Sequence, residues 1–233
     1  MILYVNGCSH TAAAEAVVEY AFAEDDPVHY RLGRIPHPKN LVASWCTHLA
    51  QQLNYDLVCD AESASSNFRI IRTTKAWLDA NPKLHKDVFV VIQWSGWERE
   101  EWLHDGTWYQ VNASGVDVVP KELQDQYRQF VIDVDWNQCT TQWHERIWQF
   151  HQYLKALNIR HFFYNAHSTF SNISEHYNWG NHYLAPYDIA QSYDGILKTN
   201  SFGYVNPKSY HFGAKAHCFW AKYLLQYIVD NKI

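Results

Sequence analysis

The chain has 233 residues, of which 47% are hydrophobic and 18% are charged, and its net charge at pH 7 is −5. This balance is typical of a globular protein, and the length suits one large domain or two small ones. The charge gives no electrostatic reason to expect nucleic acid or an acidic membrane surface as a partner. Aromatic residues are abundant, with 11 Trp and 16 Tyr, which suits core packing or stacking against ring-shaped ligands such as sugars.

Short apolar runs alternate with stretches of helical spacing along the chain. The predicted strands are residues 2–5, 55–61, 87–95 and 159–166, and the predicted helices are residues 12–23, 41–53, 66–80, 141–157 and 213–231. Residues 24–40 predict a loop, residues 100–140 an aromatic-rich excursion, and residues 168–210 mostly loop with one short helix. The alternation predicts one α/β domain over residues 1–233, a three-layer α/β/α sandwich with a mainly parallel sheet.

The N-terminus and the cysteines predict the compartment. No stretch approaches the roughly 20 apolar residues of a membrane span, and the N-terminus lacks the features of a signal peptide. The five cysteines are scattered and form no CxxC pair. This pattern favours reduced thiols in the cytoplasm over a disulfide framework or a zinc ribbon.

In a sheet of this kind ligands bind beyond the carboxyl ends of the strands, so the segments that follow each strand hold the candidate site. The first such segment is Gly7-Cys8-Ser9-His10-Thr11. Gly7 permits a sharp turn, and Ser9 is expected near the N-terminus of the next helix, where a developing negative charge is favoured. The alternative is that Ser9 or Thr11 only caps that helix.

A histidine near the other end of the chain gives Ser9 a possible partner. His211 lies in the loop before the last helix, and His217 lies within that helix. A serine after the first strand and a histidine before the last helix meet at one edge of a doubly wound sheet. They suit the nucleophile and general base of acyl transfer, and we expect the hydroxyl within roughly 3 Å of an imidazole nitrogen.

These segments resemble the conserved blocks of the SGNH (GDSL-type) hydrolases, in particular their short phage and environmental bacterial forms. Gly7-Cys8-Ser9 is similar to the Gly-Asp-Ser block, and Ala64 or Ser65 stands where the second block has glycine. Trp97 aligns with the asparagine of the third block, and the stretch from Lys208 to His211 with the Asp-x-x-His block. The resemblance covers nearly the whole chain and implies a flavodoxin-like fold.

The resemblance implies that Ser9 is the nucleophile and His211 the base, with no cofactor. The N–H groups of Ser9 and of Ser65 or its neighbour would form an oxyanion hole, with the Asn67 amide in place of the missing asparagine. Lys208 stands where the aspartate is usual, and a charged lysine cannot accept a hydrogen bond. We therefore expect a backbone carbonyl, a water or a carboxylate from another loop to orient His211.

Three residues after the third strand are candidate substrate contacts: Trp94, Trp97 and Arg99. Arg99 either binds a carboxylate or sugar hydroxyl at the rim of a shallow pocket or forms an ion pair that locks its loop. Aromatic residues of the excursion, including Trp102, Trp108 and Tyr109, are expected to line that pocket. The 14 histidines show no metal-ligand spacing, and no phosphate-binding glycine motif occurs, so we expect no metal and no nucleotide.

Two functions remain open. The first is a serine esterase that removes a small acyl group, such as acetyl, from a carbohydrate or related substrate. The second is a binding or structural module with weak or no catalysis, such as a virion or glycan-recognition component, which the missing aspartate and asparagine favour. The expected partner is an ester or acylated carbohydrate, and the expected location is the cytoplasm or, if phage-encoded, the virion. The oligomeric state is left open.

Overall fold

The computed structural model describes residues 1–17, 36–113, 119–206 and 209–233. Its strands are β1 (Ile2–Asn6), β2 (Asp56–Cys59), β3 (Val88–Trp94), β4 (Glu100–His104), β5 (Thr107–Val111), β6 (Arg160–Asn165), β7 (Tyr204–Asn206) and β8 (His211–Phe212). Four of them form a parallel sheet in the order β2–β1–β3–β6, while β4–β5 and β7–β8 are small antiparallel pairs.

Five of the seven described helices lie between strands of the parallel sheet, and two follow its last strand, β6. The helices are α1 (Pro38–Val42), α2 (Trp45–Leu53), α3 (Asn67–Ala80), α4 (Gln124–Asp133), α5 (Trp136–Ala156), α6 (Tyr193–Thr199) and α7 (Ala214–Asp230). Short 3-10 helices occupy Pro82–Leu84, Lys121–Leu123 and Ile189–Gln191. Within the described residues, no helix has both the length and the apolar character needed to cross a membrane.

Alternation along the strands builds one core on each face of the parallel sheet. Leu3 and Val5 face a core that also contains Trp45 of α2 and Trp220 of α7. Tyr4, between them in sequence, faces the opposite core, with residues of α3 and α5. Successive side chains of a strand point to opposite faces, so each strand of the sheet contributes to both cores. The three-layer α/β/α fold expected from the sequence is confirmed.

The predicted helix over residues 12–23 is wrong in its described part. Residues 12–17 form turns and bends, and Ala13 and Glu15 have positive φ values of 55° and 61°, which a right-handed helix does not allow. Residues 18–23, and residues 24–35 of the predicted loop, lie outside the described residues. Contacts with distant elements override the helix propensity of alanine here. The Ala16 carbonyl accepts a hydrogen bond from the Ala214 N–H, and the Val17 N–H donates to Asn40 Oδ1.

The other predicted elements differ from the structure mainly at their ends. The predicted helix over residues 41–53 is divided between α1 and α2, because Ser44 caps the second of them by accepting a hydrogen bond from the Thr47 N–H. The excursion contains the β4–β5 hairpin, the 3-10 helix Lys121–Leu123 and α4. The hairpin and α4 share a small apolar cluster centred on Val111, Val119 and Tyr127.

Three buried histidines are held neutral by their surroundings. His161 Nδ1–H donates to the Ile159 carbonyl at 2.7 Å, so its Nε2 accepts from His151 Nδ1–H at 2.8 Å. His217 Nδ1 accepts from the Trp45 N–H at 3.3 Å. Burial lowers the pKa of His151 to about 4 and the pKa values of His161 and His217 to about 3.

We therefore expect these three histidines to lower the free energy of unfolding by about 3 kcal/mol between pH 6.5 and pH 5.5, about 1 kcal/mol each. The unfolded chain binds protons near pH 6.5, whereas the folded chain does not. The stability from these groups is therefore complete above pH 6.5 and is lost as the pH falls toward 4. Urea denaturation at several pH values measures the slope. In His217→Gln, whose amide oxygen can still accept from the Trp45 N–H, the fall over this pH range should be about 1 kcal/mol smaller. A pH-independent free energy of unfolding in this range would contradict the expectation.

Candidate active site

A cavity of about 560 Å³ lies where the carboxyl ends of all four parallel strands meet. Ser9 and Glu15 follow β1, Ala64 follows β2, Arg99 follows β3 and His167 follows β6. The remaining described lining residues are His10, Ser63, Asp194, Tyr204, Ser209, Tyr210 and His211. The neighbours β2 and β3 lie on opposite sides of β1, so the cavity lies at a topological switch point, where ligands bind in open α/β sheets.

Ser9, His211 and Glu15 form a continuous hydrogen-bonded chain in this cavity. Ser9 Oγ lies 2.9 Å from His211 Nε2, and His211 Nδ1 lies 2.6 Å from Glu15 Oε2. The distance between the serine and histidine atoms agrees with the roughly 3 Å expected from the sequence. The two residues are 202 positions apart in the chain, and the parallel sheet brings them together.

The Glu15 carboxylate is held by several donors. Burial alone would raise its pKa, but hydrogen bonds from Ser209 and His211 outweigh burial and hold the pKa below its usual value. Asn206 Nδ2 also donates to Glu15 Oε1, at 3.2 Å. An ionised carboxylate only accepts, so the proton of His211 lies on Nδ1, and Nε2 is left to accept the Ser9 hydroxyl proton.

Burial also affects the pKa of His211. It lowers the pKa of His211 below its usual value, and the hydrogen bond to Glu15 opposes that effect. The imidazole is therefore neutral at pH 7. A neutral imidazole with a free lone pair directed at a hydroxyl is the state that a general base requires.

The turn that carries Ser9 is tight because Gly7 has no side chain. A Cβ at this position would lie 2.3 Å from Thr11 Oγ1 and 3.0 Å from Gln93 Cβ. Thr11 Oγ1 donates to Gln93 Oε1 at 2.7 Å, which ties the turn to β3. The expected placement of Ser9 at a helix N-terminus is wrong, because turns and not a helix follow it among the described residues.

Sequence reasoning did not identify Glu15. It allowed a carboxylate from another loop, whereas the carboxylate comes from the loop that already carries Ser9. The helix predicted over residues 12–23 would direct Glu15 elsewhere. Nothing in an alanine-rich sequence indicates the positive φ that Glu15 adopts in the structure. Lys208, which stands where the resemblance places an aspartate, lies outside the described residues.

Two of the expected oxyanion donors are already occupied. The Ser65 N–H donates to the Glu62 carbonyl at 3.1 Å. Asn67 Oδ1 accepts from the Ser95 N–H at 2.8 Å, and Asn67 Nδ2 donates to the Ser95 carbonyl at 3.3 Å. The expectation for Asn67 is therefore wrong, because its amide holds the loop after β3 and does not line the cavity.

Ala64 offers the backbone donor instead. It lines the cavity, and its φ of 65° is the conformation that glycine adopts most readily, which suits a position where glycine is usual in the resembling family. The N–H groups of Ala64 and Ser9 donate to no acceptor within the described residues. Ala64 is a sequence neighbour of Ser65, so its N–H is the candidate for the second donor of the expected oxyanion hole.

Trp94 and Trp97 belong to the core, so their expected role as substrate contacts is wrong. Trp94 is fully buried, with its ring 5.2 Å from that of Phe163. Trp97 stacks on Phe170 at 4.8 Å, and its Nε1 donates to the Thr169 carbonyl. Both side chains pack on the α5 face of the sheet, away from the residues that line the cavity.

The excursion does not line the described cavity either. Trp102 packs against Phe130, and Trp108 lies under the guanidinium of Arg72. None of the described lining residues comes from residues 100–113 or 119–140. Of the three substrate contacts expected from the sequence, Arg99 alone lines the cavity.

A family model for DUF6071, a family of unknown function, matches residues 37–208. The chain belongs to this family. The matched residues include Ala64, Arg99 and His167 of the cavity, but they begin after Ser9 and Glu15 and end before His211.

No curated protein matches this DUF6071 chain. Among solved structures it is similar to an acetyl xylan esterase (Est2A) from the rumen bacterium Butyrivibrio proteoclasticus, with 13% sequence identity and a TM-score of 0.46. The match covers 98% of this chain and 63% of the esterase chain, so this chain spans less than two thirds of that protein.

The described part of the DUF6071 chain contains no group of three or more His, Cys, Asp or Glu side chains arranged to hold a metal ion. His10 and His167 line the cavity near His211, with ring centroids 5.3 Å apart for His10 and His211. These histidines surround the hydrogen-bonded chain without entering it.

Proposed function

We propose that the chain is a serine ester hydrolase whose reacting groups are Ser9, His211 and Glu15. The observation that carries the proposal is the hydrogen-bonded chain from Glu15 Oε2 through both imidazole nitrogens to Ser9 Oγ, inside a cavity. Nucleophile, base and orienting carboxylate stand in the geometric roles of a catalytic triad, which recurs on unrelated folds. The likeness to the SGNH hydrolases is part of this proposal.

In the first half of the reaction Ser9 Oγ attacks the ester carbonyl carbon while its proton passes to His211 Nε2. The negative charge on the carbonyl oxygen is stabilised by the N–H groups of Ser9 and Ala64. The tetrahedral intermediate collapses, the bond to the alcohol oxygen breaks, and His211 returns the proton to the departing alcohol. The acyl group is then bonded to Ser9 Oγ.

In the second half a water molecule replaces the alcohol. His211 Nε2 takes a proton from the water as its oxygen attacks the acyl carbon, and the proton then returns to Ser9 Oγ as the acid is released. Glu15 stays ionised and stabilises the imidazolium in both halves.

Glu15 also bears on the alternative function. The non-catalytic reading depended on a missing carboxylate partner for His211, and Glu15 supplies one at 2.6 Å. The missing asparagine is compensated only by backbone donors, which predicts a modest turnover rather than none.

The lining favours a short acyl group, such as acetyl, on a polar alcohol such as a sugar. Ala64 is the one aliphatic side chain among the described lining residues, and the others are polar, charged or aromatic with a polar edge. A long acyl chain needs a continuous apolar wall, and tyrosines such as Tyr204 and Tyr210 suit the ring and hydroxyls of a sugar.

The proposal is tested by labelling the protein with a fluorophosphonate and locating the adduct by mass spectrometry. We expect a single adduct on Ser9, because its hydroxyl is the one hydrogen-bonded to an imidazole nitrogen in the cavity. Ser63 and Ser209 line the same cavity and serve as internal controls. An adduct on either of them, or no adduct at all, would contradict the proposal.

A further inference from the structure

Arg99 brings a positive charge to the cavity, and its one ion pair within the described residues is a long contact with Glu98. Its side chain is 18% exposed, and its Nε and Nη1 atoms are buried without a hydrogen-bond partner in the described structure. Glu98 Oε1 lies 3.9 Å from Nε, which is beyond hydrogen-bonding distance. Within the described residues, the guanidinium of Arg99 therefore has no carboxylate within hydrogen-bonding distance.

The acidic side chains of the cavity are engaged elsewhere. Asp194 accepts from the Tyr204 hydroxyl at 2.6 Å and pairs with Lys198 at 2.8 Å. Glu15 is occupied by His211 and Ser209. Neither carboxylate forms an ion pair with Arg99.

The histidines around Arg99 are neutral at pH 7. Burial, followed by the positive charge of Arg99, lowers the pKa of His167 to about 4. Burial also holds the pKa of His10 well below its usual value. Arg99 is therefore the one cationic side chain among the described lining residues at neutral pH.

We propose that Arg99 binds a carboxylate of the substrate, so that the preferred substrates are short-chain esters of carboxylate-bearing compounds, such as acylated sugar acids. The inference rests on the proposed function, since it names the substrate class of the same site. Because Nε and Nη1 are buried, Nη2 is the guanidinium nitrogen left open to the cavity, and a guanidinium–carboxylate hydrogen bond is charge-assisted and strong.

A matched pair of esters tests the inference. The substrate 3-acetoxybenzoate carries a carboxylate, and 3-acetoxybenzamide replaces it with a neutral amide of nearly the same shape. We expect kcat/KM to be about 10- to 100-fold higher for the benzoate, mainly through a lower KM, because a hydrogen bond to a charged group contributes in that range.

Variants assign the preference to Arg99. Arg99→Gln should remove the preference for the benzoate, while Arg99→Lys should keep part of it because the charge remains. Arg128→Gln makes the same charge change on an exposed side chain outside the cavity and should alter neither ester. If Arg99→Gln does not fold, the wild-type preference and the Arg99→Lys variant still decide the question.

Two kinetic results would overturn the inference: equal wild-type kcat/KM values for the two esters, or an equal fall in kcat for both in Arg99→Gln. The second would place Arg99 in the chemical step.

Binding of the unreactive products 3-hydroxybenzoate and 3-hydroxybenzamide, measured by NMR titration, separates this inference from the proposed function. Arg99-dependent binding of 3-hydroxybenzoate without hydrolysis of either ester would support the anion site and contradict the proposed hydrolase. Hydrolysis of both esters without preferred binding of 3-hydroxybenzoate would support the hydrolase and contradict the anion site.

Discussion

Replacement of Ser9 by alanine is expected to lower kcat/KM for p-nitrophenyl acetate by about 10⁴-fold or more and to abolish fluorophosphonate labelling. The hydroxyl 2.9 Å from His211 Nε2 is the nucleophile of the proposed reaction, and alanine leaves nothing to carry the acyl group. Removal of the nucleophile from a catalytic triad leaves only the contribution of binding and of the oxyanion donors. The acetyl ester is the suitable substrate because the described lining has no long apolar wall.

Ser63 provides the matched control for this variant. It lines the same cavity, and its hydroxyl is buried without a partner in the described structure. Ser63→Ala should therefore keep hydrolysis and labelling close to the wild-type level. Hydrolysis that survives Ser9→Ala but is lost in Ser63→Ala would move the nucleophile to the loop after β2.

The elements that could be predicted are those in which apolar residues recur with the period of a helix or form an uninterrupted run. The seven residues Val88–Trp94 are all buried, as a continuous apolar run predicts for a central parallel strand. The turn residues after β1 and the histidine before α7 were located through this sheet, because topology alone brings the ends of parallel strands together. That is why Ser9 and His211 could be paired across 202 positions.

The parts that could not be predicted depend on side-chain direction within loops. Trp97 and Asn67 lie next to cavity segments in sequence, yet one stacks on Phe170 in the core and the other binds the backbone at Ser95. Helix propensity also gave a wrong prediction around Glu15, because contacts with α7 and Asn40 hold this alanine-rich segment in turns. No periodicity in the sequence reports such contacts.

Glu15→Gln is expected to lower kcat for p-nitrophenyl acetate by about 10²- to 10⁴-fold with little change in KM. General acid–base catalysis contributes in that range, and the change of a triad's orienting carboxylate to an amide reaches its upper end. The carboxylate holds the proton of His211 on Nδ1 and opposes the charge that the imidazole gains during the reaction. The amide has no negative charge in either orientation. In one orientation its NH₂ group faces Nδ1 and stabilises the tautomer whose Nε2 cannot accept the Ser9 proton.

The pH profile separates this positioning role from a merely structural one. Glu15 raises the pKa of His211 against the larger lowering effect of burial, so its loss should move the acidic limb of the kcat profile to lower pH. Glu15→Asp keeps the charge and should recover part of kcat and the position of that limb, whereas Glu122→Gln makes the same change as Glu15→Gln at an exposed residue and should alter neither. A Glu15→Gln enzyme with wild-type kcat would show that the hydrogen bond to His211 Nδ1 has no part in catalysis. A low kcat with an unshifted acidic limb would show instead that Glu15 acts only by holding the loop that carries Ser9.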